Sequence, residues 1–320
     1  MTLMQQPAGL SVNLDVAAET GIHLGDGSLF IRRGRPKTSY RYDVTGHVLE
    51  DQLYLLGCVV PTVSLAYGLG EPGIYVDREI SWMSLRYGSK AVALFKHETL
   101  GLPNGKKTTA SIPRMIRENS YLMRFLTREV LATDGILGYY SASNYRHKYP
   151  RIIIKLTARR VIEELAEFLH NELGMSVSLR LNIVDKDSWG TCPRHALQIA
   201  CSEDIDTWRK EIGFSNPSQI SRIMVFERLG ECPPRTSIID RLSFLSGLSS
   251  KTTSSGPIPL EAFISTVQLM RKSFEFPRLE GKEIASYVFR TNRRLQSRLG
   301  RRLPQIIDLR AAGEIFAPDI

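Results

Sequence analysis

Two aspartates stand where a carboxylate could do chemistry. Asp26 sits in Gly25-Asp26-Gly27, at the end of a run with helical apolar spacing, and Asp134 precedes Gly135 at the end of another. Asp-Gly is a common turn dipeptide, so either one alone reads equally well as a helix stop or a hairpin. A carboxylate at a helix C-terminus, however, meets the negative end of the helix dipole. A positive charge nearby would ease that conflict. Other chemistries lack their residues. His-Glu-x-x-His, the Gly-x-x-x-x-Gly-Lys-Ser/Thr loop and Gly-x-Ser-x-Gly are all missing from the sequence. GLGEPG (68–73) is followed by no long helical pattern and so does not read as a dinucleotide loop.

The elements around the acids repeat. Residues 13–25 read as a helix, with Ala17, Ala18 and Gly21 on one side, and 28–33 and 39–45 read as strands. A helix over 50–60 follows, with Leu53, Leu56 and Val60 on one face. Strand-like GIYVD and EISWMSLRY and a helix over 89–98 complete the set. Residues 100–113, rich in Gly, Pro, Asn and Lys, read as a linker. Beyond it come a helix over 118–133, the strands ILGYYSAS and RIIIKLTA, a strongly amphipathic helix over 159–174 stopped by Gly174, the strands VSLRLNIV and HALQIACS, and a helix over 204–214. The order helix–strand–strand–helix–strand–strand–helix thus occurs twice, with Asp26 and Asp134 separated by 108 positions. Such a repeat implies two related halves about a pseudo-twofold axis.

ETGIHLGDG (Glu19–Gly27) and TREVLATDG (Thr127–Gly135) resemble the paired motifs of the LAGLIDADG homing endonucleases, in their two-motif, single-chain form. GLPNGKKTTASIP resembles the segment between the halves. YPRIIIKLTARRVIEELAEFLHNELGM and WRKEIGFSNPSQISRI resemble the middle and end of a repeat. The likeness covers roughly residues 13–245. It implies an α+β fold of two pseudo-twofold-related αββαββα halves with saddle-shaped antiparallel sheets. Residues 10–104 and 118–245 would be the halves, 105–117 the linker, and 246–320 a basic helical extension. By the same resemblance the motif helices pack side by side, Gly21 permits their close approach, and Asp26 and Asp134 meet at the seam. The implied ligand set for Mg²⁺ or Mn²⁺ is Asp26 and Asp134 with the residues before them, Gly25 and Thr133. Metals held there activate water and stabilise the pentacovalent phosphate. Lys155 is the candidate for a lysine beside the acids.

Two positions depart from the pattern. Glu129 stands where the first motif has Gly21, and Leu24 where the family often has an acid. Glu129 is expected to lean out of the seam, to pair with Arg128 or His23, or to loosen the interface. His23 itself reads as an interface histidine.

Sheets laid in a major groove point alternate side chains at base edges. The candidates are Arg32, Arg33, Arg35, Lys37, Tyr40 and Arg41 in the first half, and Asn144, Tyr145, Arg146 and Lys148 in the second. Lys106 and Lys107 suit phosphate. The tail from 235 carries 14 Arg and Lys against 8 Asp and Glu. A short helix over 282–288, a tight turn and a basic helix over 290–302 resemble a helix-turn-helix. Arg290, Arg294, Arg298 and Arg301 line one side for phosphate contacts and Leu295, Leu299 and Leu303 another. The same pattern also suits a basic amphipathic helix packed on the main domain.

Composition agrees. The net charge of +9 and pI near 9.4 favour a polyanionic partner. No stretch approaches 18 apolar residues and the N-terminus lacks a signal-peptide pattern, so a membrane or secreted protein is not expected. Cys58, Cys192, Cys201 and Cys232 are widely spaced, which suits a reducing cytoplasm rather than a zinc site. No splice-junction pattern accompanies the ends, so a free-standing product is expected. The reading is a monomeric, intron-encoded, Mg²⁺-dependent double-strand DNA endonuclease. An RNA-binding intron maturase and a DNA-binding regulator on the same scaffold remain alternatives.

Overall fold

A computed structural model describes residues 10–32, 34, 38–77, 79, 81–141, 148–187, 190–248, 256–299 and 306–308. Its elements follow the expected order. Helix α1 (Leu14–Leu24) leads into β1 (Gly27–Arg32) and β2 (Ser39–His47). A helical run over 52–67 then comprises α2 (Gln52–Tyr54), a π-helical stretch (Leu55–Val59) and α3 (Val60–Tyr67). After β3 (Gly73–Val76) and β4 (Trp82–Tyr87) come α4 (Lys90–Leu94) with a second π-helical stretch (Phe95–Thr99), and the short α5 (Arg114–Arg117). The order then repeats as α6 (Ser120–Asp134), β5 (Gly135–Ser141), β6 (Lys148–Leu156), α7 (Arg159–Leu173), β7 (Ser178–Asp187), β8 (Gly190–Ile199) and α8 (Ser202–Glu211). Helices α9 (Pro217–Leu229), α10 (Ile238–Leu245), α11 (Leu260–Phe274) and α12 (Gly281–Leu299) follow. The strands form two four-stranded antiparallel sheets with matching orders, β1-β2-β4-β3 and β5-β6-β8-β7.

Packing divides the chain into two compact units. The first holds Met1–Val44, Thr62–Gly73 and Arg86–Gly213, and so contains both motif helices. Asn13 caps α1, its side chain accepting from the amide of Val16 at 2.9 Å, and Asn119 caps α6 through the amides of Tyr121 and Leu122. Every residue of α1 from Val16 to Leu24 is buried, which is why its sequence is apolar or small almost all round. Helices α1 and α6 touch at the backbone. A Cβ placed on Gly21 would lie 2.3 Å from the Leu126 carbonyl oxygen and 2.9 Å from Glu129 Cβ. The α7 face expected from the sequence, with Ile162, Leu165, Ala166 and Leu169, is buried, and Gly174 ends the helix with φ of 67°.

The second unit holds Thr45–Pro61, Ile74–Leu85 and Phe214–Ile320. Pro61 has no N–H to give to the Gly57 carbonyl four residues back. That carbonyl instead accepts from the amides of Arg278 and Leu279, at 2.9 and 3.2 Å, which ties the tail to the π-helical stretch. Arg241 is fully buried, donates to Ser221 Oγ (2.8 Å), Ser218 Oγ (2.9 Å) and the Thr236 carbonyl, and pairs with Glu50 at 2.9 Å. The helix-turn-helix expected in the tail is corrected. Residues Gly281–Leu299 form one continuous 19-residue helix, because no glycine or proline interrupts the run and Ile284, Ala285, Val288 and Leu295 make an unbroken buried stripe.

Replacing Gly21 by alanine should cost about 1–3 kcal/mol, the usual range for overpacking, and lower the midpoint of urea unfolding. An unchanged midpoint would mean that the two helices are not held at this spacing.

Candidate metal centre and nucleic-acid interface

Each motif acid lies at a helix-to-strand junction. Helix α1 closes with the Gly25 amide on the Gly21 carbonyl at 3.2 Å, Asp26 follows, and Gly27 opens β1. Asp134 is the last residue of α6 and Gly135 the first of β5. The seam brings the two junctions together. A Cβ on Gly25 would lie 1.9 Å from Thr133 Oγ1 and 3.2 Å from Asp134 Oδ2, so only glycine fits here. Thr133 Oγ1 shares its proton between the Glu129 and Val130 carbonyls at 2.9 and 3.1 Å. Burial raises the pKa of Asp134, while Lys107 and then Arg194 pull it back.

Lys107 is half-buried, and its ammonium donates to the His23 carbonyl at 3.1 Å and to the Gly25 carbonyl. These are carbonyls of the last turn of α1, where a cation is favoured. Burial lowers the Lys107 pKa, opposed by Asp134 and Asp26. The linker that carries it is fastened. Asn104 exchanges two 2.9 Å hydrogen bonds with the main chain of Ile31, Gly105 donates to the Leu29 carbonyl at 2.9 Å, and Ile112 donates to Glu164 at 2.7 Å. Sequence reasoning placed Lys107 on phosphate because the path of a coil leaves no periodicity to read.

The residues fit a hard divalent cation. The donors are oxygens only, two carboxylates and the Gly25 carbonyl, and an ammonium is already drawn to that carbonyl. Among the described residues no group of three His, Cys, Asp or Glu side chains is set for metal binding. The remainder of such a shell would come from main-chain oxygens, water or phosphate. Glu129 neither opens the seam nor stays unpaired. It is buried, bonded to Arg128 Nε at 3.0 Å, and Arg128 stacks on Phe125 at 4.9 Å. Of the outcomes expected for Glu129, the pairing with Arg128 is the one found, and the space for Glu129 Cβ comes from the missing side chain of Gly21.

Lys155 lies on β6 opposite Ala196, one residue past Ile154, the partner of Gly135. It therefore stands on the strand end beside Asp134. Arg194, two residues before Ala196, shares that sheet face and acts on Asp134. The sequence reading missed Arg194 because it began the strand at His195. Pro193 argues against a strand interior, yet β8 runs through it.

On β1, Ser28, Phe30 and Arg32 are exposed, and register places them opposite Asp43, Arg41 and Ser39. Arg41 stacks on Phe30 at 5.1 Å and pairs with Asp43 at 3.0 Å, which Arg86 also meets at 3.0 Å. Tyr40 is on the other face, opposite Ile31, packed against Leu29, Ile31 and Ala93. On β6, Arg151 stacks on Tyr149 and donates to its hydroxyl at 2.7 Å. Lys106 is exposed in the linker. On α12, Arg294 is exposed and Arg290 stacks on Tyr287 at 5.2 Å. Arg33, Arg35, Lys37, Asn144, Tyr145, Arg146 and Arg301 lie outside the described residues, as do the side chains of Lys148 and Arg298.

No family model and no curated protein matches the sequence. The solved structures it resembles include LAGLIDADG proteins. One is a set of mesophilic variants of the homing endonuclease I-DmoI, at 16% identity over 62% of this chain and 90% of that one, with a TM-score of 0.44. The LAGLIDADG homing endonuclease I-GzeII, in complex with its DNA target, is 8% identical over 68% and 92%, with a TM-score of 0.40. The N-terminal LAGLIDADG domain of DUF199/WhiA is 10% identical over 65% and 88%, at 0.39. These are distant likenesses of fold.

A buried polar cluster supports the first LAGLIDADG-like motif from behind. Glu19 on α1 is fully buried and accepts from Lys96 Nζ at 2.7 and 2.5 Å and from the Tyr67 hydroxyl at 2.5 Å. Lys96 Nζ also lies 4.1 Å from the centre of the Tyr42 ring, on which His23 stacks at 5.5 Å. Neither ring nitrogen of His23 has a hydrogen-bond partner among the described residues. Burial first, then the charges of Lys96 and Lys107, hold its pKa well below the ordinary value.

Lys96→Met should destabilise by about 3–5 kcal/mol, because it strands a buried carboxylate. Glu19→Gln added to it should restore much of that loss in urea unfolding, and a failure to restore would show that packing, not charge, sets the cost. For His23 the folded state disfavours the proton and the unfolded state accepts it near pH 6.5. Its contribution is full above about pH 6.5 and declines as pH falls, by up to about 1.4 kcal/mol per pH unit. Melting temperature between pH 7 and 5 should therefore fall less steeply in His23→Phe than in the wild type.

Proposed function

We propose that the chain is a site-specific DNA endonuclease of LAGLIDADG type, acting as a monomer because one chain supplies both motifs. What supports this most is the seam itself, with two helix-ending aspartates brought together by backbone contact at Gly21 and Gly25. Asp26 and Asp134 would hold the divalent cation, Mg²⁺ or Mn²⁺, with the Gly25 carbonyl beside them. A bound cation would polarise the scissile phosphate and lower the pKa of an attacking water. The chain's own groups do the rest. Arg194 and Lys155, on the sheet face beside Asp134, neutralise phosphate charge as the duplex seats. Arg32 and Arg41 on the outer face of the first sheet meet the groove, where Arg reads guanine and phosphate. Lys106, in the linker, contacts phosphate.

The test is cleavage of a randomised duplex library by the full chain in Mg²⁺. Metal-ion stabilisation is worth several kcal/mol, at tenfold per about 1.4 kcal/mol. Asp26→Asn and Asp134→Asn should therefore each lower cleavage ~10²–10³-fold while duplex binding persists. Specific binding without cleavage in the wild type would replace this reading with a DNA-binding regulator, and tight intron-RNA binding unaffected by both changes with a maturase.

A further inference from the structure

Lys107 has two possible jobs, and its surroundings separate them. As a helix cap it would satisfy two carbonyls of the last turn of α1 and nothing more. Its position goes further than that. The Gly25 carbonyl that receives it belongs to the residue whose Cβ site lies 3.2 Å from Asp134 Oδ2. Gly25 also directly precedes Asp26, and both carboxylates act on the ammonium. The linker is pinned on either side of Lys107, at Asn104 and Gly105 to β1 and at Ile112 to Glu164 on α7. The Ala110 amide also donates to the Lys107 carbonyl at 2.9 Å. The ammonium is thus delivered to the seam by a fastened main chain, with only its own flexible stem free to move.

We infer that Lys107 is the resident cation of the Asp26–Asp134 pair: in the DNA-free protein its ammonium offsets the two carboxylates, and a divalent metal binds there only as Lys107 withdraws. The second clause rests on the endonuclease reading, whereas the first does not. Two half-buried carboxylates at helix C-termini, close to one another, are favoured by positive charge beside them. A chain that folds before meeting metal or DNA must supply that charge itself. A lysine suits the task because its single-point ammonium can leave along its stem, toward a phosphate for example, without disturbing the fold.

The test uses the full chain without DNA. Urea unfolding in EDTA is measured for the wild type, Lys107→Met, Asp26→Asn/Asp134→Asn and the triple variant. Lys107→Gln is carried in parallel, since it keeps N–H donors for the two carbonyls but no charge. Loss of the charge should lower the folding equilibrium constant at least about tenfold, or about 1.4 kcal/mol, when the aspartates are present. With both aspartates replaced the loss should be less than about threefold. Equal losses in the two backgrounds would reduce Lys107 to a helix cap and overturn the proposal. Calorimetric titration with Mn²⁺ should then find at least about tenfold tighter binding to Lys107→Met than to wild type, given the size of a unit charge at this range. Equal Mn²⁺ affinity would overturn the displacement. Coupling to the aspartates with no Mn²⁺ uptake by either protein would refute the endonuclease reading and keep Lys107 as a permanent counter-ion.

Discussion

The backbone contact between α1 and α6 is the constraint from which the site follows. Two helices cannot come this close with side chains between them, so Gly21 lies against the Leu126 carbonyl and Gly25 against Thr133. Both glycines precede an acid by a few residues, so the same closeness that joins the helices brings their C-termini, and Asp26 and Asp134, to one place. Helix α1 is buried almost without interruption, whereas α6 keeps an outer face that includes the exposed Tyr121. The seam also raises the cost of every charge nearby, because a carboxylate withdrawn from water prefers to be neutral.

The chain answers that cost with lysines and arginines set at measured places rather than with a general excess of positive charge. Lys96 meets Glu19, Arg128 meets Glu129, and Lys107 and Arg194 act on Asp134. Three of these four cations come from outside the motif helices. Lys96 comes from the π-helical stretch after α4, Lys107 from the linker, and Arg194 from β8. The motif is therefore incomplete as a nine-residue pattern. Its electrostatics are finished by Lys96, 77 positions from Glu19, and by Lys107 and Arg194, 27 and 60 positions from Asp134. His23 is the exception, a buried imidazole with no hydrogen-bond partner among the described residues and stacked on Tyr42, and it is the group through which acid should act on the seam.

The backbone plan was legible because it is written in periodicity. The helices ending at Asp26 and Asp134, the strand pairs after them and the amphipathic α7 with its Gly174 stop all follow from spacing and punctuation. What spacing does not carry is the route of coil and the far partner of a buried charge. Lys107 lies in PNGKKTT, whose composition says turn and nothing about direction. Arg194 was lost behind Pro193, whose usual avoidance of strand interiors is overridden by the long β7–β8 pairing. Tyr40 looked like a groove residue from its basic neighbours, yet one step in register with Ile31 turns its ring to the inner face. The tail failed in the opposite direction. Arg290 and Arg294 do lie on one helix, but the turn inferred at its centre needed a breaker that the sequence does not contain.

The seam is symmetric in backbone and asymmetric in side chains, and the asymmetry has a consequence for assembly. Gly21 faces Glu129, and Gly25 faces Thr133. Each pair works only as a pair. Two copies of the first motif would leave a gap where Glu129 stands. Two copies of the second would set Glu129 against its own equivalent and Thr133 against its own, with two carboxylates and four Cβ-bearing positions at a distance that admits none. The approaches of 2.3 Å at Gly21, to the Leu126 carbonyl, and of 1.9 Å at Gly25, to Thr133 Oγ1, are possible only because neither glycine carries a Cβ. A twofold dimer of one half could not reproduce this contact, so the acids meet across two different motifs and not across two copies of one.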